Sequence, residues 1–180
     1  MYQVERHVIK DNRYEEICHK SGLLYNYCLY AFRQGVFTGN YIKEYELSTK
    51  LGKENQYDFR NLPCHVSRNV IKQVSENIKS WIRAKKEYEK HPDKFQRRPK
   101  LPNYKNGKKL NIVVFDELSC RIKEDGCVHF VKNIIKPIRI RIQITRRAIA
   151  IVRITAETNS QFFLTYFSTV ICYFRGQIPM

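Results

Sequence analysis

Acid is scarce in this chain. Its 180 residues hold 17 Asp+Glu against 33 Lys+Arg, a formal charge of +16. Self-repulsion of that size works against a compact state, so the balance points to a polyanionic partner, DNA or RNA, ahead of an anionic membrane surface. A long apolar run is missing too. The longest, FFLTYFSTVICYF at 162–174, falls short of the about 20 residues that a bilayer span needs; it is rich in β-branched and aromatic types and reads as strand. No signal peptide is expected from the opening MYQVERHVIK, which already carries Glu5, Arg6 and Lys10. The six cysteines are scattered without a C-x-x-C pair, which argues against zinc and predicts reduced thiols in the cytoplasm.

Catalytic constellations are missing as well. There is no Gly-rich phosphate loop. The neighbours Cys18-His19 and Cys64-His65 cannot both face one point on a helix, which weakens a Cys/His nucleophile. Two-metal phosphodiester cleavage needs converging carboxylates. The candidates Asp116, Glu117, Glu124 and Asp125 sit at strand ends and in a hairpin turn, where solvated turn chemistry explains them. The sequence therefore predicts no self-contained active site, no metal and no cofactor.

What is present suits a globular protein of one domain or two small ones, 43% hydrophobic and 13% aromatic. The first ten residues alternate loosely, as a short strand does. From Asn12, the residues Ile17, Leu23, Leu24, Tyr27, Cys28, Ala31 and Phe32 recur at helical steps, with Gly35 after the end. A shorter helix is predicted from Tyr41 to Leu51, ended by Gly52. Asn61 or Pro63 opens a third, in which Val66, Val70, Val74, Ile78 and Trp81 form an apolar stripe and His91-Pro92 is the stop. Beyond it the grammar is that of sheet: LNIVVFD, CRIKEDGCVHFV with an Asp125-Gly126 turn, IKPIRIRIQIT, AIAIVRIT, and FFLTYFST after a turn at 157–160. Five strands with turns suggest a meander or barrel. The order of strand, helical block and strands carries no βαβ alternation, internal repeat or low-complexity tract.

The positive charge is concentrated. Residues 79–109 hold 12 Lys/Arg and 3 Asp/Glu, a net +9. Arg68, Lys72, Lys79, Arg83 and Lys86 fall away from the third helix's apolar stripe, where a solvated face is the plain alternative to a binding face. The following segment RRPKLPNYKNGKK contributes Arg97, Arg98, Lys100 and Lys105, with prolines to hold it extended. There Tyr104 and Phe95 either stack on a base or ribose or pin the segment to the core. Helix and segment are expected to form one continuous positive flank. In KPIRIRIQITRR, Arg139, Arg141 and Gln143 alternate with isoleucines, and Arg146 and Arg147 follow at the turn. Such a guanidinium face suits phosphate oxygens, which give affinity and register without base identity.

The stretches YEEICHKSGLLYNYCLYAF, LPCHVSRNVIKQVSENIKSWIRAKKEYEK, RRPKLPNYK and IKPIRIRI, in this order, resemble the N-terminal half of the TnpB (OrfB) proteins of bacterial insertion sequences. These are RNA-guided DNA nucleases related to type V CRISPR effectors, and the likeness covers nearly all of residues 2–167. It implies an α+β fold: a split wedge-type β-barrel of short antiparallel strands (1–11 and 110–180), an inserted helical recognition domain (12–95) and a basic loop (96–109). As partners it implies guide-type RNA and DNA, as single strand, heteroduplex or duplex. It also places Cys64, His65, Arg68 and Asn69 near the duplex motif beside the target, where Arg and Asn can read guanine or adenine edges. Family members continue into a Mg-dependent RNase H-like nuclease with a D-x-G strand and a C-x-x-C zinc module. This chain carries neither and reads RGQIPM instead. The expectation is thus a nucleic-acid-binding, non-catalytic N-terminal fragment of a transposon-encoded endonuclease, truncated before its nuclease domain. A freestanding DNA-binding repressor and a non-functional relic are the alternatives.

Overall fold

The computed structural model describes residues 2–9, 13–107, 109–116, 118–122, 127–130, 138–139, 149–157 and 161–169. Among the described residues four helices, α1 (Arg13–Thr38), α2 (Glu44–Lys53), α3 (Tyr57–Arg60) and α4 (Cys64–Lys90), lie between a first strand β1 (Tyr2–Ile9) and the later strands. A 3-10 turn, Pro92–Lys94, follows α4.

The core is the seam between the two long helices. On α1 the buried side chains are Tyr14, Ile17, Cys18, Ser21, Leu24, Tyr25, Cys28, Leu29 and Phe32, steps of three and four that keep one face inward. On α4 they are Val66, Ser67, Val70, Ile71, Val74, Ser75 and Ile78. Each large apolar side chain removed from water here contributes about 1.5–3 kcal/mol before chain entropy is charged against it. Leu47 and Leu51 of α2, Phe59 of α3 and Leu62 close one end of this core.

Helix ends differ from the sequence reading at both glycines. Gly35 is inside α1, and its role is close approach: a Cβ there would stand 2.6 Å from the Asn40 carbonyl oxygen as the chain folds back. The left-handed residue after the helix is Gly39, at φ 74°. Likewise α2 runs through Gly52 to Lys53, and the left-handed conformation falls on Asn55, at φ 51°. Leu23 and Tyr27 are half-buried and exposed, because α1's inward face is centred on Ser21, Leu24 and Cys28 instead. The short α3 was not foreseen; Gln56 starts it by accepting the Phe59 N–H at 2.6 Å.

All strand pairs among the described residues are antiparallel. β1 pairs with β7 (Gln161–Thr169), β7 with β6 (Ile149–Glu157), and β6 with β2 (Val113–Asp116). The first described strand therefore closes on the last described one, with the helical block between them in the sequence. A second sheet holds β3 (Cys120–Ile122), β4 (Cys127–Phe130) and β5 (Ile138–Arg139). Val113 and Phe115 alternate inward on β2, Val128 and Phe130 on β4, and the Phe115 and Phe130 rings meet at 4.6 Å. Among the described residues no strand pairing joins the two sheets, so the architecture is helices plus two small antiparallel sheets. The turn at Asp125-Gly126, the carboxylates Glu117 and Glu124, most of the expected strand over 135–145 and residues 170–180 lie outside the described residues.

Candidate nucleic-acid interface

The basic segment after α4 is a strap, and side chains of the two long helices hold its backbone. Trp81 of α4 donates its indole N–H to the Pro99 carbonyl at 3.3 Å. On α1, the Arg33 guanidinium donates to the Pro102 carbonyl. Asn26 then accepts the Lys105 N–H at 2.7 Å and donates to the Lys105 carbonyl at 3.0 Å. Farther back the Asn111 N–H donates to the Cys18 carbonyl at 3.0 Å, and Asn111 Nδ2 reaches Ser21 and Gln73. The strap thus runs antiparallel to α1, from Arg33 down to Cys18.

Its length explains its turn. Arg33 to Asn26 spans about 10 Å of helix, which residues 102–105 cover when extended. Asn26 to Gly22 is only about 6 Å, while residues 105–109 can reach about 13 Å. The surplus goes into the turn at Asn106-Gly107, where Gly107 takes φ 59° and Lys109 N–H closes on the Asn106 carbonyl at 3.1 Å. Gly22 lets the strap pass, because a Cβ there would run into the Lys109 carbonyl oxygen.

The two rings of the segment, Phe95 and Tyr104, stand differently. Phe95 is half-buried, edge-on to Tyr88 at 5.7 Å, and pins the strap's start. Tyr104 sits under the Arg33 guanidinium at 4.6 Å yet keeps 37% of its surface in solvent. Lys105 is a brace, half-buried with its ammonium 4.9 Å from the Tyr25 ring, and desolvation lowers its pKa. Arg97, Arg98 and Lys100 are exposed and make no ion pair among the described residues.

On α4, Arg68, Lys72, Lys79, Arg83 and Lys86 are all exposed on one side. Three of the nearby cations are matched: Lys79 with Glu76 at 3.0 Å, Lys85 with Glu89 at 3.8 Å and Lys94 with Glu87 at 3.2 Å. The hydrogen bond from Lys79 lowers the Glu76 pKa. The single continuous flank is not what forms. Trp81, which carries the strap, lies two residues from both Lys79 and Arg83, and two helical residues point to opposite sides. Positive charge is divided between α4's outer side and the strap on its inner, α1 side.

The start of α4 borders a cleft of about 500 Å³ lined by Tyr45, Thr49, Arg60, Cys64 and Arg68. Arg60 is anchored there by Gly52 and Asn55, at 2.7 and 3.0 Å. Asn69 faces the sheet instead and donates to the Val114 carbonyl at 3.1 Å. His65 meets Asp116 at 3.1 Å, and Ser119 donates to the same carboxylate at 2.6 Å. Burial would raise the Asp116 pKa, but Ser119 and His65 outweigh it and hold it low. Asp116 is thus a tie between α4 and β2, more than the solvated turn residue its position in the sequence implied. Nothing in the spacing of residues 51 apart announces such a pair.

Burial pushes the thiols of Cys18, Cys28 and Cys120 up to about 12, so they stay protonated and unreactive near neutrality. No group of three or more His, Cys, Asp or Glu that could hold a metal occurs among the described residues, and no described helix is long and apolar enough to cross a membrane. Arg139 belongs to β5, its backbone opposite Cys127. Arg141, Gln143, Arg146 and Arg147 lie outside the described residues. Sequence reasoning missed Arg33 and the exposed rings of α1. The signal was there: Asn26, Tyr30, Arg33 and Phe37 follow one helical row at steps of four, three and four. The chain matches no protein-family model and no curated protein.

Proposed function

We propose that the protein is a nucleic-acid-binding module that grips sugar-phosphate backbone and performs no chemistry of its own. One observation carries the reading. Exposed cations without carboxylate partners among the described residues, Arg97, Arg98 and Lys100, stand on a backbone that Trp81, Arg33 and Asn26 hold in place. A held row of this kind binds phosphates with less ordering cost than a free tail. On α4, Arg68, Lys72 and Lys86 extend the interface to a second side. The likeness to TnpB-type proteins narrows the polyanion to guide RNA and its heteroduplex with DNA, and the strand–helices–strands order is compatible with a wedge barrel carrying a recognition insert. A second reading, a duplex-DNA reader of the repressor kind, draws on the cleft where Arg68 and Arg60 converge beside Tyr45.

Anisotropy titrations with structured RNA, single strands and duplex DNA at 50–200 mM salt test this. Six or more phosphate contacts predict an affinity loss of about a thousandfold or greater over that range. Affinity indifferent to salt would remove the proposal. Preference for one duplex sequence, lost in Arg68→Ala, would favour the repressor reading.

A further inference from the structure

The rings on α1 do not fit a helix that only packs and dissolves. Tyr30 and Phe37 are 58% and 66% exposed, on the same row as Asn26 and Arg33, the two side chains that hold the strap. About 10 Å of helix separates them. Between them lies Arg33, and across from it Tyr104, also part-exposed. Exposed aromatics so placed cost solubility and add nothing to the core, so their surface is available to a ligand.

The charge around them selects that ligand. No Asp or Glu occurs in residues 17–43, which contain most of α1, nor in residues 94–115, which contain the strap. The cations of these two facing segments include Arg33, Arg97, Arg98 and Lys100. A ring row edged by cations and free of acid complements a ligand that is flat and apolar on one side and anionic on the other. Unstacked bases on a phosphate chain have that form, whereas paired bases have their faces covered.

We propose that Tyr30, Phe37 and Tyr104 are a stacking platform for the bases of a single-stranded nucleic acid whose phosphates lie along Arg97, Arg98 and Lys100. This rests on the nucleic-acid reading above and adds to it the strand state and the residues that sense it. Stacking tolerates any base, so the platform confers preference for unpaired strand without sequence choice.

The test compares labelled oligothymidine with a duplex of equal length, using the full chain. Tyr30→Ala and Phe37→Ala should each lower affinity for oligothymidine by roughly 5- to 150-fold, the range that loss of one stacked base gives. Duplex affinity and the salt slope should stay as in the parent, because no phosphate contact is lost. Tyr30→Phe should retain binding and Tyr30→Leu should lose it, since a ring is needed and mere apolarity does not suffice. Helical circular dichroism should be unchanged, both positions being exposed. Parent-like oligothymidine binding by both alanine variants overturns the platform, and if Arg97→Glu with Arg98→Glu still weakens both ligands the wider reading survives. Absence of saturable binding by the parent at low salt sinks both. A self-associated chain that Phe37→Ala makes monomeric, with oligothymidine affinity intact, assigns the rings to a second copy of the chain and also overturns the proposal.

Discussion

The two cationic surfaces of this protein are built in opposite ways. On α4 the cations ride on a helix whose other side is core, so their spacing is set by the helix itself, yet Glu76 and Glu89 take up Lys79 and Lys85. On the strap the backbone has no ladder of its own and is held by side chains of α1 and α4, yet no carboxylate occurs within residues 95–115. Rigidity comes cheaply on the helix, while unbalanced charge survives on the strap. A tally of lysines and arginines treats the two as equal. Physically the strap should dominate affinity and α4 should add to it, because surface pairs with carboxylates leave less field for a polyanion.

Gly22→Ala tests the strap most severely. A Cβ pointing at the Lys109 carbonyl forces the strap away from α1, and the overpacking should cost roughly 3 kcal/mol in urea unfolding. Nucleic-acid binding through α4 should persist in the folded fraction; complete loss would mean that the two surfaces act as one. Next in size are paired charge reversals. Arg97, Arg98 and Lys100 to Glu should flatten the dependence of log affinity on log salt by about two to three, and Arg68, Lys72 and Lys86 to Glu by less. Equal slopes for the two triple variants would dissolve the distinction drawn here.

Trp81→Phe keeps the ring but removes the donor to Pro99, a loss of about 1 kcal/mol read as an earlier urea midpoint, with the strap's share of binding reduced. An acid titration reaches the tie between α4 and β2. Asp116 is held low in the folded state by Ser119 and His65 against the opposing pull of burial. Its contribution is therefore present above the ordinary aspartate range, near pH 4, and is lost as pH falls through the lowered folded value. Ser119→Ala should shift acid unfolding, followed by circular dichroism, to higher pH. An unchanged midpoint would show that the tie contributes no stability. Smallest is Glu76→Gln, which frees Lys79 and should raise polyanion affinity slightly without moving the melting temperature.

Much of the fold was legible because helical order is local. The stripe Val66, Val70, Val74 and Ile78 marked α4 and its outward cations, and the stop before Pro92 falls where the helix ends at Lys90. Glycines misled at Gly35 and Gly52, where the helix continues; at Gly35 a missing Cβ serves a neighbouring backbone, which no local rule records. Phe95 and Tyr104 were undecidable in sequence, since an aromatic in a basic segment can turn either way until its neighbours are known. Arg33 and the ring row of α1 carried a periodic signal, but the apolar count on the other side of the helix drew attention from it.

By itself the sequence determined the charge, the three longer helices with most of their inward faces, and strands in the second half, all of which follow from composition and from periods of a few residues. Only the tertiary structure decided which side of α4 the basic strap takes, that α1 rather than solvent receives it, and that His65 and Asp116 meet. Those choices rest on pairs such as Asn26 with Lys105, 79 residues apart. Contacts at that separation are set by how surfaces fit after the chain has closed on itself, and a linear pattern contains no measure of that fit.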